Sequence, residues 1–94
     1  MFVYIIYSLN LNSYYIGYCK DMLDDRIYKH RLGFYDSSYT KKASDWVLVW
    51  HLKCHNTKQA LAIEKHIKRM KSKIYIQNLL KYKELGEKLL KKYE

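Results

Sequence analysis

The chain has 94 residues, which is enough for one domain with a modest core and too few for two independent domains. Nearly half of the residues are hydrophobic, eleven are tyrosines and proline is absent, so the composition excludes a disordered chain. Eighteen lysines and arginines against nine acidic residues give a formal net charge of +9, which favours nucleic acid as the partner over a basic surface that serves solubility alone.

Neither the two cysteines nor the N-terminus suggests an exported protein. Cys19 and Cys54 belong to no CxxC or Cys/His metal spacing, so we expect free thiols rather than a zinc site or a disulfide. Residues 1–7 are apolar, but they lack a basic lead and a cleavage site and are too short to span a membrane. We therefore expect a cytoplasmic protein without membrane contact.

Two aromatic and β-branched segments, residues 2–8 and 14–18, predict the first two strands. Asn10, Asn12 and Ser13 lie between them and predict a hairpin with a loop of about five residues.

The first helix is predicted from Met22 to about Leu32, just before Gly33, with Asp21 as its N-cap. Asp24 and Asp25 fall in its first turn, where the helix dipole favours negative charge. Its apolar stripe, Leu23 and Ile27, is narrow, and Arg26 and His30 lie four residues apart on a neighbouring face.

Residues 34–45 show no clear period and are expected to form a loop that carries Tyr39, Lys41 and Lys42. The Val, Leu and Trp residues from Trp46 to Leu52 then predict a third strand.

A second helix is predicted to start at a cap formed by Asn56 or Thr57 and to run to about Met70. Ala60, Ile63, Ile67 and Met70 form its apolar stripe. Glu64 falls on the margin of this stripe and must be partly buried, which is costly unless a cation or hydrogen-bond donors meet it.

The last part of the chain, residues 74–90, is helical in composition, with Gly86 as the expected break and Leu85, Leu89 and Leu90 available to dock on the body. We divide the domain into residues 1–82 and a C-terminal helical extension, residues 83–94.

Several of these residues suit phosphodiester hydrolysis, which needs a ligand for a cation, a base for water and a donor for phosphate oxygens. Glu64, a tyrosine or His30, and Arg26 can fill those roles. Each also has a structural interpretation: strand tyrosines usually pack, Arg26 can pair with a neighbouring aspartate, and Glu64 can pair with Lys68 at the i, i+4 spacing.

The chain resembles the small single-domain branch of the GIY-YIG nuclease family. Phe2-Val3-Tyr4 corresponds to the first half of the signature and Tyr15-Ile16-Gly17 to the second, followed by Arg26, His30 and Glu64 in the family's order. The segments 39–42, 46–49 and 68–73 also resemble that branch, so the likeness covers about residues 2–80. The first tripeptide departs from the motif, because Phe2 stands where the motif has glycine and Val3 where it has isoleucine.

The resemblance implies an α+β fold, a three-stranded antiparallel sheet formed by the hairpin and a third strand, flanked by helices. It also implies one divalent cation, Mg²⁺ or Mn²⁺, held by Glu64. Tyr4 would activate or orient the attacking water, Arg26 would bind phosphate, and Tyr15 and His30 would complete the network. An ordinary histidine titrates near neutral pH, whereas a tyrosine with a pKa of about 10 needs help to act as a base, so the identity of the base stays open.

Hairpin register sets which side chains share a face. If Tyr4 lies opposite Gly17, Tyr15 shares the face of Tyr4, and we expect space at Gly17 for a phosphate or a metal-bound water.

The resulting hypothesis is a metal-dependent endonuclease that cuts DNA, directed by DNA structure or weakly by sequence. The alternatives are a nucleic-acid-binding module of the same fold without catalysis and an RNA-cleaving relative. The lysines expected to line a phosphate-tracking surface are Lys41, Lys42, Lys68, Lys71 and Lys73. Target choice would come from DNA structure or from a separate recognition protein, and the oligomeric state stays open.

Overall fold

A computed structural model describes residues 1–20, 23–33 and 39–94 of the chain. It has an α+β fold, as the sequence predicts, with a three-stranded antiparallel sheet and four α-helices. In chain order the elements are β1 (Phe2–Ser8), β2 (Ser13–Cys19), α1 (Leu23–Arg31), a 3₁₀ turn (Tyr39–Lys42), β3 (Val47–Lys53), α2 (Thr57–Met70), α3 (Lys73–Lys81) and α4 (Lys83–Lys92).

The sheet has the order β2-β1-β3, so β1 is central. In the hairpin, Tyr4 pairs with Gly17 and Ile6 with Tyr15, which confirms the register on which the two tyrosines share a face. Between β1 and β3 the register shifts by one residue, since Ile5 pairs with Trp50 but Ile6 with Leu48.

Each face of the sheet carries its own apolar layer. Val3 and Ile5 point to one face and join Ile63, Ile67 and Leu79 in the larger core cluster. On the opposite face, a second cluster contains Tyr4, Ile6, Cys19, Ile27 and Trp46. The sheet therefore separates α2, α3 and α4 from α1 and the 3₁₀ turn.

The segment before the third strand is more ordered than expected. The predicted loop contains a 3₁₀ turn, Tyr39–Lys42, and β3 begins at Val47 rather than at Trp46. The indole of Trp46 is fully buried and donates from Nε1 to the carbonyl of Thr40 at 2.8 Å, which ties the turn to the sheet. The predicted cap Asp21, the first helical residue Met22 and residues 34–38 lie outside the described residues.

Helix α2 begins with the expected cap, because the side chain of Asn56 accepts from the backbone N–H of Gln59 at 2.8 Å. It ends at Met70, where Lys71 adopts a left-handed conformation (φ 48°) as the C-cap. Of the predicted apolar stripe, Ala60, Ile63 and Ile67 are buried, whereas Met70, the last residue of the helix, is 45% exposed.

Gly86 does not break the C-terminal helix, contrary to the sequence-based expectation. The break falls at Tyr82, whose backbone is extended and whose N–H closes the end of α3 on the carbonyl of Asn78. Gly86 lies buried within α4, where an added Cβ would lie 3.4 Å from Leu52 and 3.5 Å from Trp50. A Cβ would thus fit at this position in ordinary van der Waals contact, so the packing of α4 on β3 does not depend on the glycine. Leu89 joins the core as expected.

Cys19 and Cys54 are buried thiols that form no disulfide with each other, as predicted, and burial raises the pKa of the Cys54 thiol. Within the described ranges, no helix combines the length and apolar character that a membrane crossing needs.

Candidate active site

Tyr4, His30 and Thr40 form a buried hydrogen-bonded row beneath α1. The Tyr4 hydroxyl lies 2.7 Å from Nε2 of His30, and Nδ1 of the same ring lies 2.6 Å from Oγ1 of Thr40. A neutral imidazole has one donor and one acceptor nitrogen, so His30 donates in one of these contacts and accepts in the other. Tyr4 and Thr40 are each 1% exposed, and His30 is 2% exposed.

Local structure explains how this row is assembled. Tyr4 occupies the middle of β1, where central pairing on both sides fixes its backbone. His30 lies in the last turn of α1, and Ile27, one turn earlier, packs in the same apolar layer as Tyr4. Because the 3₁₀ turn is fixed by the Trp46 indole, Thr40 reaches the far side of the imidazole.

The expected space at Gly17 is filled by Tyr4 itself. A Cβ built on Gly17 would lie 2.6 Å from the Tyr4 hydroxyl oxygen and 2.7 Å from the ring carbon that bears it. Gly17 therefore accommodates the phenol ring, which leaves no place there for a phosphate or a water. The expectation was wrong because pairing register gives the facing residues but not the direction in which a long side chain lies.

His30 is not a group that titrates near neutral pH. Burial, and then the nearby charge of Arg26, lower the pKa of His30 from 6.5 to about 4. The imidazole is therefore neutral at physiological pH, which corrects the expectation drawn from the ordinary histidine value.

Tyr15 lies against this row and is half-buried. Its ring centroid is 5.3 Å from that of His30 and 6.5 Å from that of Trp46. Arg26, one turn before His30 on α1, is half-buried and close enough to His30 to shift its pKa. The structure thus brings Tyr4, Tyr15, Arg26 and His30 into one neighbourhood.

Glu64 joins this group through Lys68. The carboxylate of Glu64 is 13% exposed, which confirms the predicted partial burial, and it pairs with Lys68 at 3.4 Å. The same ammonium lies 5.8 Å from the centroid of the Tyr15 ring. Both interpretations of Glu64 thus have support, because its ion pair with Lys68 stands beside one of the candidate catalytic tyrosines.

The chemistry of this donor set fits Mg²⁺ or Mn²⁺ better than zinc. In the part of the chain that the structure describes, no three His, Cys, Asp or Glu side chains group as a metal cage. Mg²⁺ commonly keeps several waters and binds through one or two carboxylates together with substrate phosphate, so a single carboxylate is sufficient. Glu64 is the residue that fits this role.

The five predicted lysines fall into two places. Lys68, Lys71 and Lys73 line a hollow beside Ser13 and Tyr14, and Nζ of Lys73 donates to the Asn12 carbonyl at 2.9 Å. Lys41 and Lys42 line another hollow, beside the end of α1.

Sequence reasoning gave Thr40 no role, although the segment that contains it was part of the family resemblance. A threonine in a polar stretch carries no periodic signal, so its contact with His30 requires the fold to be seen.

A hairpin bearing two tyrosines, a helix bearing arginine and histidine, and a helix bearing one partly buried carboxylate occur here in the arrangement that the resemblance to a small nuclease domain implies. Residues 1–79 match the family model described as the GIY-YIG catalytic domain, and the chain belongs to this nuclease family. No curated protein and no solved structure gives a significant match to the chain.

Proposed function

We propose that the protein is an endonuclease that hydrolyses phosphodiester bonds in DNA with the help of one divalent cation. The observation that carries this proposal is the convergence of Tyr15 with the Tyr4–His30 pair on one side and the Lys68–Glu64 pair on the other. GIY-YIG domains are typically endonucleases, and the net charge of +9 suits a polyanionic substrate.

Exposure suggests how the tyrosines divide their tasks. We assign Tyr15 to contact with the substrate or the attacking water, because it is the more accessible of the two. We assign neutral His30 and Tyr4 to positioning Tyr15, because the two residues are hydrogen-bonded to each other and the Tyr15 ring packs against His30. Direct proton abstraction by Tyr4 would require substrate binding to expose its hydroxyl, since only 1% of the residue is accessible.

Arg26 is assigned to the phosphate oxygens. Its guanidinium carries a fixed charge and several donors, which stabilise the charge that develops on phosphorus in the transition state. Glu64 would hold the divalent cation, and the cation supplies Lewis-acid stabilisation of the phosphate when bound. Lys68, which pairs with Glu64 in this structure, would then interact with the negative charge of the substrate as well.

The experiment compares Glu64→Gln with Glu87→Gln, the same change at an exposed helical carboxylate on α4. Wild type and both variants are incubated with plasmid, flap, branched and single-stranded DNA and with RNA, each with Mg²⁺, with Mn²⁺ or with chelator. We expect Glu64→Gln and chelator to abolish cleavage, while Glu87→Gln cuts as wild type does. Binding of Glu64→Gln to DNA should persist, because the carboxylate is assigned to the cation.

Different results would favour the other readings. Full activity per folded Glu64→Gln molecule would make Glu64 a structural partner of Lys68, in an i, i+4 helix pair of the kind that contributes only about 0.3–0.5 kcal/mol. DNA binding without cleavage by wild type would identify a binding module, and cleavage of RNA alone would identify a ribonuclease.

The lysines are proposed to track phosphates. Each neutralised phosphate releases counterions, so log affinity falls with log salt by about 0.9 per contact on duplex DNA. Replacing Lys41 and Lys42 together by alanine should therefore reduce the slope by up to about two units, measured with Glu64→Gln so that no substrate is consumed. An unchanged slope would remove the 3₁₀ turn from the DNA-binding surface.

A further inference from the structure

A hollow of about 730 Å³ opens beside Arg26, where the start of β1 meets α1 and β3. Its apolar lining comes from Phe2, Leu23 and Leu48. The Phe2 ring also contacts the imidazole of His51, with centroids 5.8 Å apart and planes at 71°. Phe2 and His51 lie on the Tyr4 face of the sheet, since Tyr4 is directly paired with His51.

Charged residues surround this lining without making it uniformly positive. Lys20, Arg26 and Lys29 contribute three cations, while Asp24 and Asp25 contribute two carboxylates. The carboxylates oppose the entry of a phosphate into the interior, whereas the cations suit phosphates that pass along the rim. A neutral planar group attached to a phosphate chain fits both features, because the planar group suits the apolar interior and the phosphates suit the cations at the rim.

We propose that this hollow binds an unpaired nucleobase of the nucleic-acid substrate, with the adjoining phosphate at Arg26. The inference rests on the proposed function insofar as that function makes nucleic acid the substrate. The volume lies within the range of about 300–1,000 Å³ that is usual for small-molecule sites, which leaves room for a base with its sugar. Aromatic rings in such a place stack on bases of any sequence.

The amino acid at position 2 links this proposal to the sequence. The motif has glycine where this chain has Phe2, so the ring that forms one wall of the hollow is present because of that departure. The consequence is a preference for DNA with an unpaired nucleotide beside the cleaved bond, such as a flap or a single strand, over a continuous duplex.

The test is a binding measurement that does not depend on cleavage. A fluorescent oligothymidylate and the same sugar–phosphate backbone without bases are titrated with wild-type protein in chelator, and the affinities are read by anisotropy. We expect the base-bearing strand to bind about tenfold more tightly, because stacking on an aromatic side chain commonly contributes that much per base. The salt dependence should be equal for the two strands, because their phosphates are the same.

Three variants locate the effect. His51→Leu removes an exposed ring and should cut the preference for bases several-fold, whereas His51→Phe keeps a ring and should retain it. Phe2→Leu tests the adjoining aromatic ring in the same way. Tyr82→Leu is the control, because it removes an exposed aromatic ring at the junction of α3 and α4, away from the hollow.

The outcomes separate this inference from the proposed function. Equal affinity of wild type for both strands, or equal losses in His51→Leu and Tyr82→Leu, would overturn the base site even if the protein cuts DNA. Loss of the preference in His51→Leu and Phe2→Leu, with retention in His51→Phe and Tyr82→Leu, would support the base site even if no DNA is cut.

Discussion

Replacement of Tyr4 by phenylalanine deletes one oxygen from the most enclosed part of the candidate site. The hydroxyl lies 2.7 Å from Nε2 of His30, and both residues are almost fully buried. The change therefore leaves an imidazole nitrogen without this partner in a place that water does not reach, which costs about 1–3 kcal/mol. For a domain of this size, that corresponds to a fall in Tm of roughly 4–24 °C.

The matched control is Tyr7→Phe, which deletes the same atom from an exposed hydrogen bond, 2.7 Å long, to Oδ1 of Asn12. Water replaces that partner, so we expect a change within about 0.5 kcal/mol. Urea denaturation, followed by fluorescence, gives both free energies if the m-value is unchanged. Equal stability losses in the two variants would show that the buried Tyr4–His30 contact contributes nothing beyond a surface bond, and the reasoning would fail.

Three further predictions concern the same neighbourhood. Gly17→Ala should lower stability by about 1–3 kcal/mol, because its Cβ would lie 2.6 Å from the Tyr4 hydroxyl, whereas Gly86→Ala in α4 should be neutral or stabilising by thermal denaturation. The pKa of His30 falls from 6.5 to about 4 on folding, so between these pH values the unfolded chain binds a proton that the folded chain does not. The contribution of His30 to stability is therefore complete above about pH 6.5, and about 3 kcal/mol of it is lost as the pH falls to 4. Denaturation curves across this pH range should show that His30→Gln abolishes the loss. Arg26→Ala should lower the single-turnover cleavage rate by about 30- to 1,000-fold with a smaller change in Kd for DNA, and an unchanged rate would remove Arg26 from the site.

The sheet could be predicted from sequence because its signals are local. Two aromatic and β-branched segments separated by turn residues are typical of a hairpin, and the first strand has the bounds that were expected. The sequence left the register of the hairpin open, and the pairing of Tyr4 with Gly17 comes from the structure. The family signature added the order of the candidate residues, which composition alone does not supply.

Other features depend on contacts between distant parts of the chain. Gly86 is a helix-breaking residue by propensity, but it lies buried inside α4, a helix that is held by packing on the rest of the domain. The pKa of His30 depends on burial beneath α1 and on Arg26, and neither effect is visible in an isolated segment. The division at residue 82 and the roles of the candidate site residues stay predictions.

The one-residue register shift gives β3 one residue more than its pairing with β1 requires. Leu48 pairs with Ile6 and packs in the Tyr4 layer, whereas Trp50 and Leu52 pack in the layer of α2, α3 and α4. In a regular strand these even-numbered residues would all face one side, so Val49 is the additional residue that lets the two halves serve opposite layers. Deletion of Val49 would place Leu48 directly next to Trp50, and the alternation of a regular strand would keep Leu48 on the Tyr4 side and Trp50 and Leu52 on the other side. Natural shortening of β3 by one residue is therefore expected at Val49, where it removes the irregularity and leaves both layers in place.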